Sequence, residues 1–399
     1  MRLYKGEFLD ILKALMMMKV SEGEYVEEFQ NEFARYIGVK YAIATCTGRN
    51  GLELILEALK LKNGDEVILP AYTLKDLALL IKDRGFIPVL VDIDEDTYNI
   101  DIQLIEKAIT QRTRVIIATH IFGSPCDIEK IIKITKEYNI NVIEDCAHAA
   151  GAEYKGQKIG SFGRAAFFSF EAIKPINTFG GGMVTTNDPI ISEYINNKIA
   201  GLPYNNRKVI FKIFYTYCEH FILHSPFYFF ISLFFRSEFF LKVISSIYLS
   251  VHHASRISKF RYSNLQALIG LKQLKILDRN NLLRKQKADS LIKLLGDGIT
   301  AQKILPYADT VYYFFLIKTE SCSKELRRRL LKKWIDAGMG SEITDDCSQV
   351  LYRLSLPNVK KVYEHVLQIP FYDDLRDKDI RYITESINNL KRSTILNSL

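Results

Sequence analysis

The stretch Asn141-Val142-Ile143-Glu144-Asp145-Cys146-Ala147-His148 decides the fold. Its first five residues read as a short strand that ends on a carboxylate, Asp145. Apolar runs of this length, bounded by turn signals, are the mark of strands buried on both faces of a parallel sheet. In open α/β sheets, ligands bind beyond the carboxyl ends of such strands. Asp145 therefore stands where chemistry is done, with a helix N-cap as the ordinary alternative.

Outward from this segment the pattern repeats. Tyr41–Thr45, Glu66–Pro70, Ile87–Val91 and Val115–Thr119 read as earlier strands, and Ala165–Phe170 and Met183–Thr186 as later ones. Segments of helical period lie between most of them, such as Gly51–Leu61 and Ile128–Tyr138. Strands alternating with helices imply an α/β fold with a large, mostly parallel sheet covered on both faces. Before it, the apolar stretch Leu12–Met18 reads as the end of a short amphipathic helix, since it lacks a secretory cleavage pattern.

The second half changes character. Val209–Val251 is very aromatic, densest at Phe227–Phe230 and Phe234–Phe235. A charged amphipathic helix follows from Asn264 through Leu283 and beyond. The end reads as a smaller α+β unit. Val311–Ile317 is its clearest strand, Ser323 the N-cap of a helix Lys324–Ala337, Gly338 that helix's stop, and a final helix starts near Asp377. The expected organisation is a large α/β domain with an N-terminal helical segment (1–205), an aromatic-rich insertion (206–255), and a connecting helix with the smaller C-terminal α+β domain (256–399).

Composition narrows the function. The chain has 399 residues, 48% of them apolar, and a net charge of +8. The mild basic excess suits an anionic substrate or an acidic membrane surface, but no basic-aromatic motif points to nucleic acid. The six cysteines form no CxxC pair and no zinc spacing with the seven histidines. No metal is expected, and a reduced, cytoplasmic protein is the simpler reading.

Three features carry chemistry. Lys174 follows a very apolar strand and precedes Gly180-Gly181-Gly182. A lysine flanked by apolar residues has a lowered pKa and serves as nucleophile or proton carrier, whereas an isolated one is ordinarily surface. The glycines are a plain turn or a close backbone approach to a ligand. Thr47-Gly48-Arg49-Asn50-Gly51 joins a strand to a helix. Its N–H groups and the Thr47 hydroxyl suit a phosphate, and Arg49 could add a charged contact. Asp145 could pair with the ring nitrogen of pyridoxal phosphate, keeping the pyridine protonated as an electron sink.

Together with ordered matches along the chain, these features resemble the DegT/DnrJ/EryC1/StrS aminotransferases. The resemblance runs from about Gly23 to Ile387 with one interruption. It is visible in Glu24–Gly38, Gly64–Thr73, Val91–Asp94 through Tyr98–Asp101, His120–Gly123 with Asp127, and Ile143–Gly151. It resumes in Ser263–Ala267 and Val366–Pro370. It implies the aspartate-aminotransferase-like fold (type I of the pyridoxal-phosphate transferases) and pyridoxal 5'-phosphate as cofactor. It also implies transfer of an amino group, from glutamate, to a keto sugar carried on a nucleotide, in glycan or polysaccharide biosynthesis.

The resemblance assigns roles residue by residue. Lys174 is similar to the lysine that holds the cofactor covalently, and Asp145 to the ring-nitrogen partner. His148 falls beside the ring hydroxyl, Ser169 resembles the phosphate-binding serine, and Gly48 and Arg49 fall in the phosphate loop, next to Thr47. Tyr72 lies in the matching segment and is counted with the cofactor-binding set. Arg261 and Asn264 occupy a stretch that in the family reaches the neighbouring subunit's site, which implies a homodimer with shared sites. Leu74 departs from the pattern, standing where an aromatic usually stacks on the cofactor, and the glycine run lacks the acidic residue common between its glycines.

The interruption at 209–251 is least like the family. Phe221–Phe235 is apolar but short of the roughly 20 residues that span a bilayer. It is an interfacial membrane hairpin with Lys212, Arg236 and Lys242 at its polar edge, or dimer core, or a lid over a lipid-like substrate. The first reading places the protein at the inner face of the membrane, and the insertion makes a lipid-linked sugar the variant acceptor. Two rivals remain on the same fold: a sugar dehydratase, which would carry histidine in place of Lys174, and a non-catalytic membrane-bound scaffold.

Overall fold

The computed structural model describes residues 4, 6–17, 19–224, 259–320 and 322–396. Among the described residues, the large sheet has seven strands: β1 (Tyr41–Thr45), β2 (Glu66–Pro70), β3 (Ile87–Val91), β4 (Thr113–Thr119), β5 (Asn141–Asp145), β6 (Ala165–Ser169) and β7 (Gly182–Thr186). Their spatial order is β1-β7-β6-β5-β4-β2-β3. Strand β7 runs antiparallel to both neighbours, and the other pairs are parallel. This is the mostly parallel sheet expected.

Side chains alternate between two cores, as the period of a strand requires. In β2, Ile68 enters one apolar cluster with Phe29, Phe33, Ile116 and Phe168. Its neighbours Val67 and Leu69 enter the other, with Ile43, Leu52, Ile55 and Ile117. The first cluster is covered by helices α2 (Tyr25–Ile37), α5 (Ile128–Tyr138) and part of the long helix Asn264–Leu294, and the second by α3 (Gly48–Ala58) and α4 (Lys75–Asp83). Helix α1 (Glu7–Met16) packs with α6 (Asn206–His224) in a smaller cluster through Ile11, Ala14, Val209 and Ile213.

Helix α7 (Asn264–Leu294) opens on a capping box at Ser263 and Gln266 and runs to the second sheet. That sheet orders β8 (Ile299–Ala301), β9 (Phe315–Thr319), β11 (Val366–Ile369) and β10 (Gly338–Met339). Helices α8 (Ser323–Leu331) and α9 (Asp377–Leu396) cover it, with Leu326, Leu330, Ile383 and Ile387 in its core.

Two sequence expectations are corrected here. The strand expected over Val311–Ile317 starts only at Phe315. Residues 311–313 are drawn away instead: Val311 N–H donates to Gly123 O (3.1 Å) and Tyr313 N–H to Phe122 O (2.9 Å), with Tyr312 left-handed at φ 46°. The helix expected over 324–337 ends at Leu331, and Ser323 does not cap it. The Ser323 hydroxyl donates to Tyr363 O, and the chain turns through Trp334 at φ 61° as Ile335 N–H returns to Leu330 O.

The part of the insertion within α6 is two-faced. Val209, Ile213 and Thr216 are buried, while Phe211, Phe214 and Phe221 are exposed. Phe227–Phe230, Phe234–Phe235, Arg236 and Lys242 lie outside the described residues. Among the described residues, no helix is long and apolar enough to cross a membrane.

Candidate active site

The carboxyl ends of β1, β5 and β6 deliver Thr47, Asp145 and Ser169. Thr47 caps α3, its hydroxyl accepting from Asn50 N–H at 3.0 Å. Gly48 and Gly182 let three chain segments meet behind it. A Cβ on Gly182 would lie 2.6 Å from Gly48 N and Phe168 O, and one on Gly48 would lie 3.2 Å from Ser169 Cβ. The helix start and Ser169 are thus adjacent, with backbone N–H groups and the helix dipole favouring an anion there. Gly181 adopts φ 105° with Tyr262 filling the space a side chain would need. The Arg49 guanidinium turns to Asp76 on α4 and braces the two helices.

Asp145 is buried, and its Oδ1 accepts from Ala147 N–H at 3.0 Å. Burial pushes its carboxyl up from the usual range, opposed by that N–H and by Lys174. Lys174 is half-buried, and burial pushes its amine down to about 8, against the pull of Asp145 and Glu171. At that value a tenth or so of the amine is neutral near pH 7, enough for a nucleophile or proton carrier. Glu171 also pairs with Lys212 of α6, so Lys212 is tied to this site and not to the outer polar edge expected for it.

His148 lies in a stack of rings. Its ring is 4.3 Å from Tyr313 at an interplanar angle of 13°, and 5.9 Å from Phe122 at 10°. Nδ1 accepts from Phe122 N–H at 3.4 Å, and burial, then the Lys174 charge, pushes its pKa well down. His148 is therefore neutral, with its proton on Nε2. Lys174 Nζ lies 4.9 Å over the Tyr313 ring. Next door, the buried His120, Glu144 and Cys146 sit close enough for a metal. The Glu144 oxygens, however, accept from Gly160, Phe162 and Gly163 N–H groups and contact His120 Nε2. That group is a brace for the 160–163 turn.

The structure gathers Thr47, Gly48, Ser169, Asp145, His148 and Lys174, and sets others apart. Tyr72 is fully buried, donating to Gly340 O at 3.1 Å. Asn264 spends its amide within the chain: Oδ1 accepts from Tyr25 N–H and Nδ2 donates to Lys19 O. Arg261 lies over the Tyr204 ring at 4.8 Å. Leu74 packs into the core with α3 and α4. Phe122 entered the sequence reading only within the matching segment His120–Gly123, and Tyr313 escaped it. The run Tyr312-Tyr313-Phe314-Phe315 was its only signal, and it read as strand.

These residues fit pyridoxal phosphate on structural grounds. A helix N-terminus beside a hydroxyl suits the phosphate, a buried carboxylate suits the ring nitrogen, and a lysine of depressed pKa suits the carbonyl. The model of the DegT/DnrJ/EryC1/StrS aminotransferase family matches residues 3–208 and 247–388. The chain is 30% identical over 381 residues to a GDP-perosamine synthase of Escherichia coli O157:H7, covering 92% of this chain and 90% of that one. It is 46% identical over 175 residues to dTDP-3-amino-3,6-dideoxy-alpha-D-galactopyranose transaminase of Aneurinibacillus thermoaerophilus, 44% of this chain and 48% of that one. In fold it is similar to an aminotransferase from Psychrobacter cryohalolentis, with a TM-score of 0.79 at 24% identity over 98% of both chains. The chain belongs to the DegT/DnrJ/EryC1/StrS aminotransferase family. It is a pyridoxal-phosphate-dependent aminotransferase of fold type I.

Proposed function

We propose that this enzyme moves an amino group, from glutamate, to the carbonyl of a nucleotide-linked keto sugar in polysaccharide biosynthesis. One observation carries the chemistry: Lys174, with its amine pushed down to about 8, shares a site with the buried carboxylate of Asp145. The sugar acceptor is supported by relatives named as GDP-perosamine synthase and a dTDP-linked amino-sugar transaminase. The same reading divides the chain at 1–205, 206–255 and 256–399.

Bound pyridoxal phosphate supplies an electron sink for the carbon that carries the amine. The N–H groups at the start of α3, with Thr47 and Ser169, would hold its phosphate. Asp145 would hold a proton on the ring nitrogen, and neutral His148 would donate from Nε2. Lys174 would carry the group covalently. Its Nζ, when free, would take and return the proton at the donor's Cα as general base and acid. The retained lysine disfavours a dehydratase, and the intact set of Lys174, Asp145 and Ser169 disfavours a non-catalytic scaffold.

The test is a visible absorbance spectrum of the purified protein, followed by borohydride reduction and peptide mapping. The cofactor should be fixed on Lys174, and glutamate should bleach the band while GDP- or dTDP-linked keto sugars restore it. An adduct on another lysine would overturn the site. Restoration by simple keto acids alone would overturn the sugar acceptor.

We also propose a homodimer whose sites share Arg261, Asn264 being held within its own chain by Tyr25 N–H and Lys19 O, and peripheral contact of 209–251 with an anionic membrane. Exposed Phe211, Phe214 and Phe221 on α6 support that contact. Phe211→Asp plus Phe214→Asp should weaken binding to anionic liposomes. If the pair instead splits the dimer, this face is a subunit interface.

A further inference from the structure

The 311–314 segment belongs to the C-terminal half yet is fastened to the site from several directions. Tyr313 N–H donates to Phe122 O, Val311 N–H to Gly123 O, and the Thr310 hydroxyl to Gly123 O at 2.9 Å. From α7, the buried Arg284 guanidinium donates to Tyr312 O at 2.8 and 3.1 Å and to Tyr313 O at 2.9 Å. Asp373 and the Phe371 ring hold that guanidinium in place. Left-handed backbone at Tyr312 and Phe122 costs free energy, and non-glycine residues persist there only when neighbours over-determine them. All this fastening delivers a single ring: Tyr313, buried, stacked on His148 and under Lys174 Nζ.

We propose that Tyr313 is a positioning residue for the amino transfer, its π face holding the Lys174 cation in the site and fixing the ring plane of His148. An ammonium over an aromatic face is attracted by the ring quadrupole, most strongly where water is excluded. A ring stacked within 13° of His148 restricts the imidazole to one plane. Lys174 Nζ sits at the end of a long, freely rotating chain, so a face that captures it shortens its search for the reacting carbon. The role belongs to the face of Tyr313, and its backbone anchors serve to aim that face.

The proposal rests on Lys174 as the cofactor lysine, and its test separates the two. Holoenzymes carrying Tyr313→Phe and Tyr313→pentafluorophenylalanine have rings of nearly the same shape but opposite quadrupoles, so packing is held and only the face changes. Relative to Phe, the fluorinated ring should lower the pH at which the visible band titrates by roughly half a unit or more. It should also lower kcat by about tenfold or more with little change in the acceptor's KM. Tyr313→Leu, with apolar bulk and no π face, should move both readouts the same way. Equal titration and equal kcat for the Phe and fluorinated enzymes would overturn the proposal. All variants are reduced and mapped in parallel. An adduct on Lys174 with unshifted titration sinks the role of Tyr313 alone, and an adduct elsewhere sinks the site assignment.

Discussion

Glu7→Gln should make the protein less sensitive to rising pH, and the size of the effect follows from where Glu7 sits. It is 2% exposed in the first turn of α1. Its carboxylate accepts from Gln273 Nε2 and Tyr217 OH, both at 3.2 Å, and from Tyr4 N–H at 3.4 Å. These donors do not offset the loss of water, and burial pushes the carboxyl from the usual 4.5 up to about 7. The folded state therefore holds a proton that the unfolded chain releases. Stability from this group is full below about 4.5, falls as pH rises to about 7, and is flat beyond. A gap of about 2.5 units at 1.36 kcal/mol each sets an upper limit of about 3 kcal/mol. Glutamine keeps an acceptor and cannot titrate. Thermal midpoints of both proteins, measured in parallel from pH 4.5 to 8, should diverge in favour of Gln across that window. A constant difference would refute the buried-carboxyl reasoning. The consequence reaches the site, because Gln273 Oε1 also accepts from Asn177 N–H at 2.7 Å, close after Lys174.

Other expectations concern the cofactor directly. Recapture of pyridoxal phosphate by cofactor-stripped protein needs neutral Lys174, so its rate should rise through pH 7 and level off above about 8, and a profile centred near 10.5 would contradict the burial argument. Asp145→Asn should keep the fold and slow turnover on the order of a hundredfold, with wild-type turnover removing Asp145 from the mechanism. Gly182→Ala forces a methyl against Gly48 N and Phe168 O, so cofactor retention on dialysis should drop sharply; unchanged retention would separate this contact from the phosphate site.

The large sheet was legible because its strands are buried on both faces, which leaves continuous apolar runs that survive in sequence. β1, β2, β3 and β5 lie at their expected bounds. Asp145 and Thr47 were legible for a related reason: each sits at or just past a strand end, where topology and sequence position coincide, whereas Ser169 came only from the family resemblance. Tyr313 was not. Its apolar run has strand character, and the bonds to Phe122 and Gly123 that pull it off the sheet join residues far apart in sequence. Ser323 misled through a local preference: serine before a basic helix reads as a cap, but Tyr363 O takes its hydroxyl and the helix starts one residue earlier.

Helix α7 explains why such distant pieces converge, and why the sequence showed the helix but not which of its residues fasten the site. Gln266, Gln273, Asn281 and Arg284 recur at near-helical spacing, and all four are buried. Gln266 Nε2 donates to Thr178 O and Gly180 O in the glycine loop. Gln273 accepts from Asn177 in the lysine loop, and Asn281 donates to Ala150 O beyond His148. Arg284 then clamps Tyr312 and Tyr313. Over roughly 27 Å of helix, at 1.5 Å per residue, one face visits four segments around the site in turn. Buried loop carbonyls and N–H groups need partners, and a polar stripe on a packed helix supplies them where sheet ladders cannot. The same stripe weakens the apolar periodicity by which a helix's buried face is recognised. The residues that hold the site together were thus hidden by the feature that makes them useful.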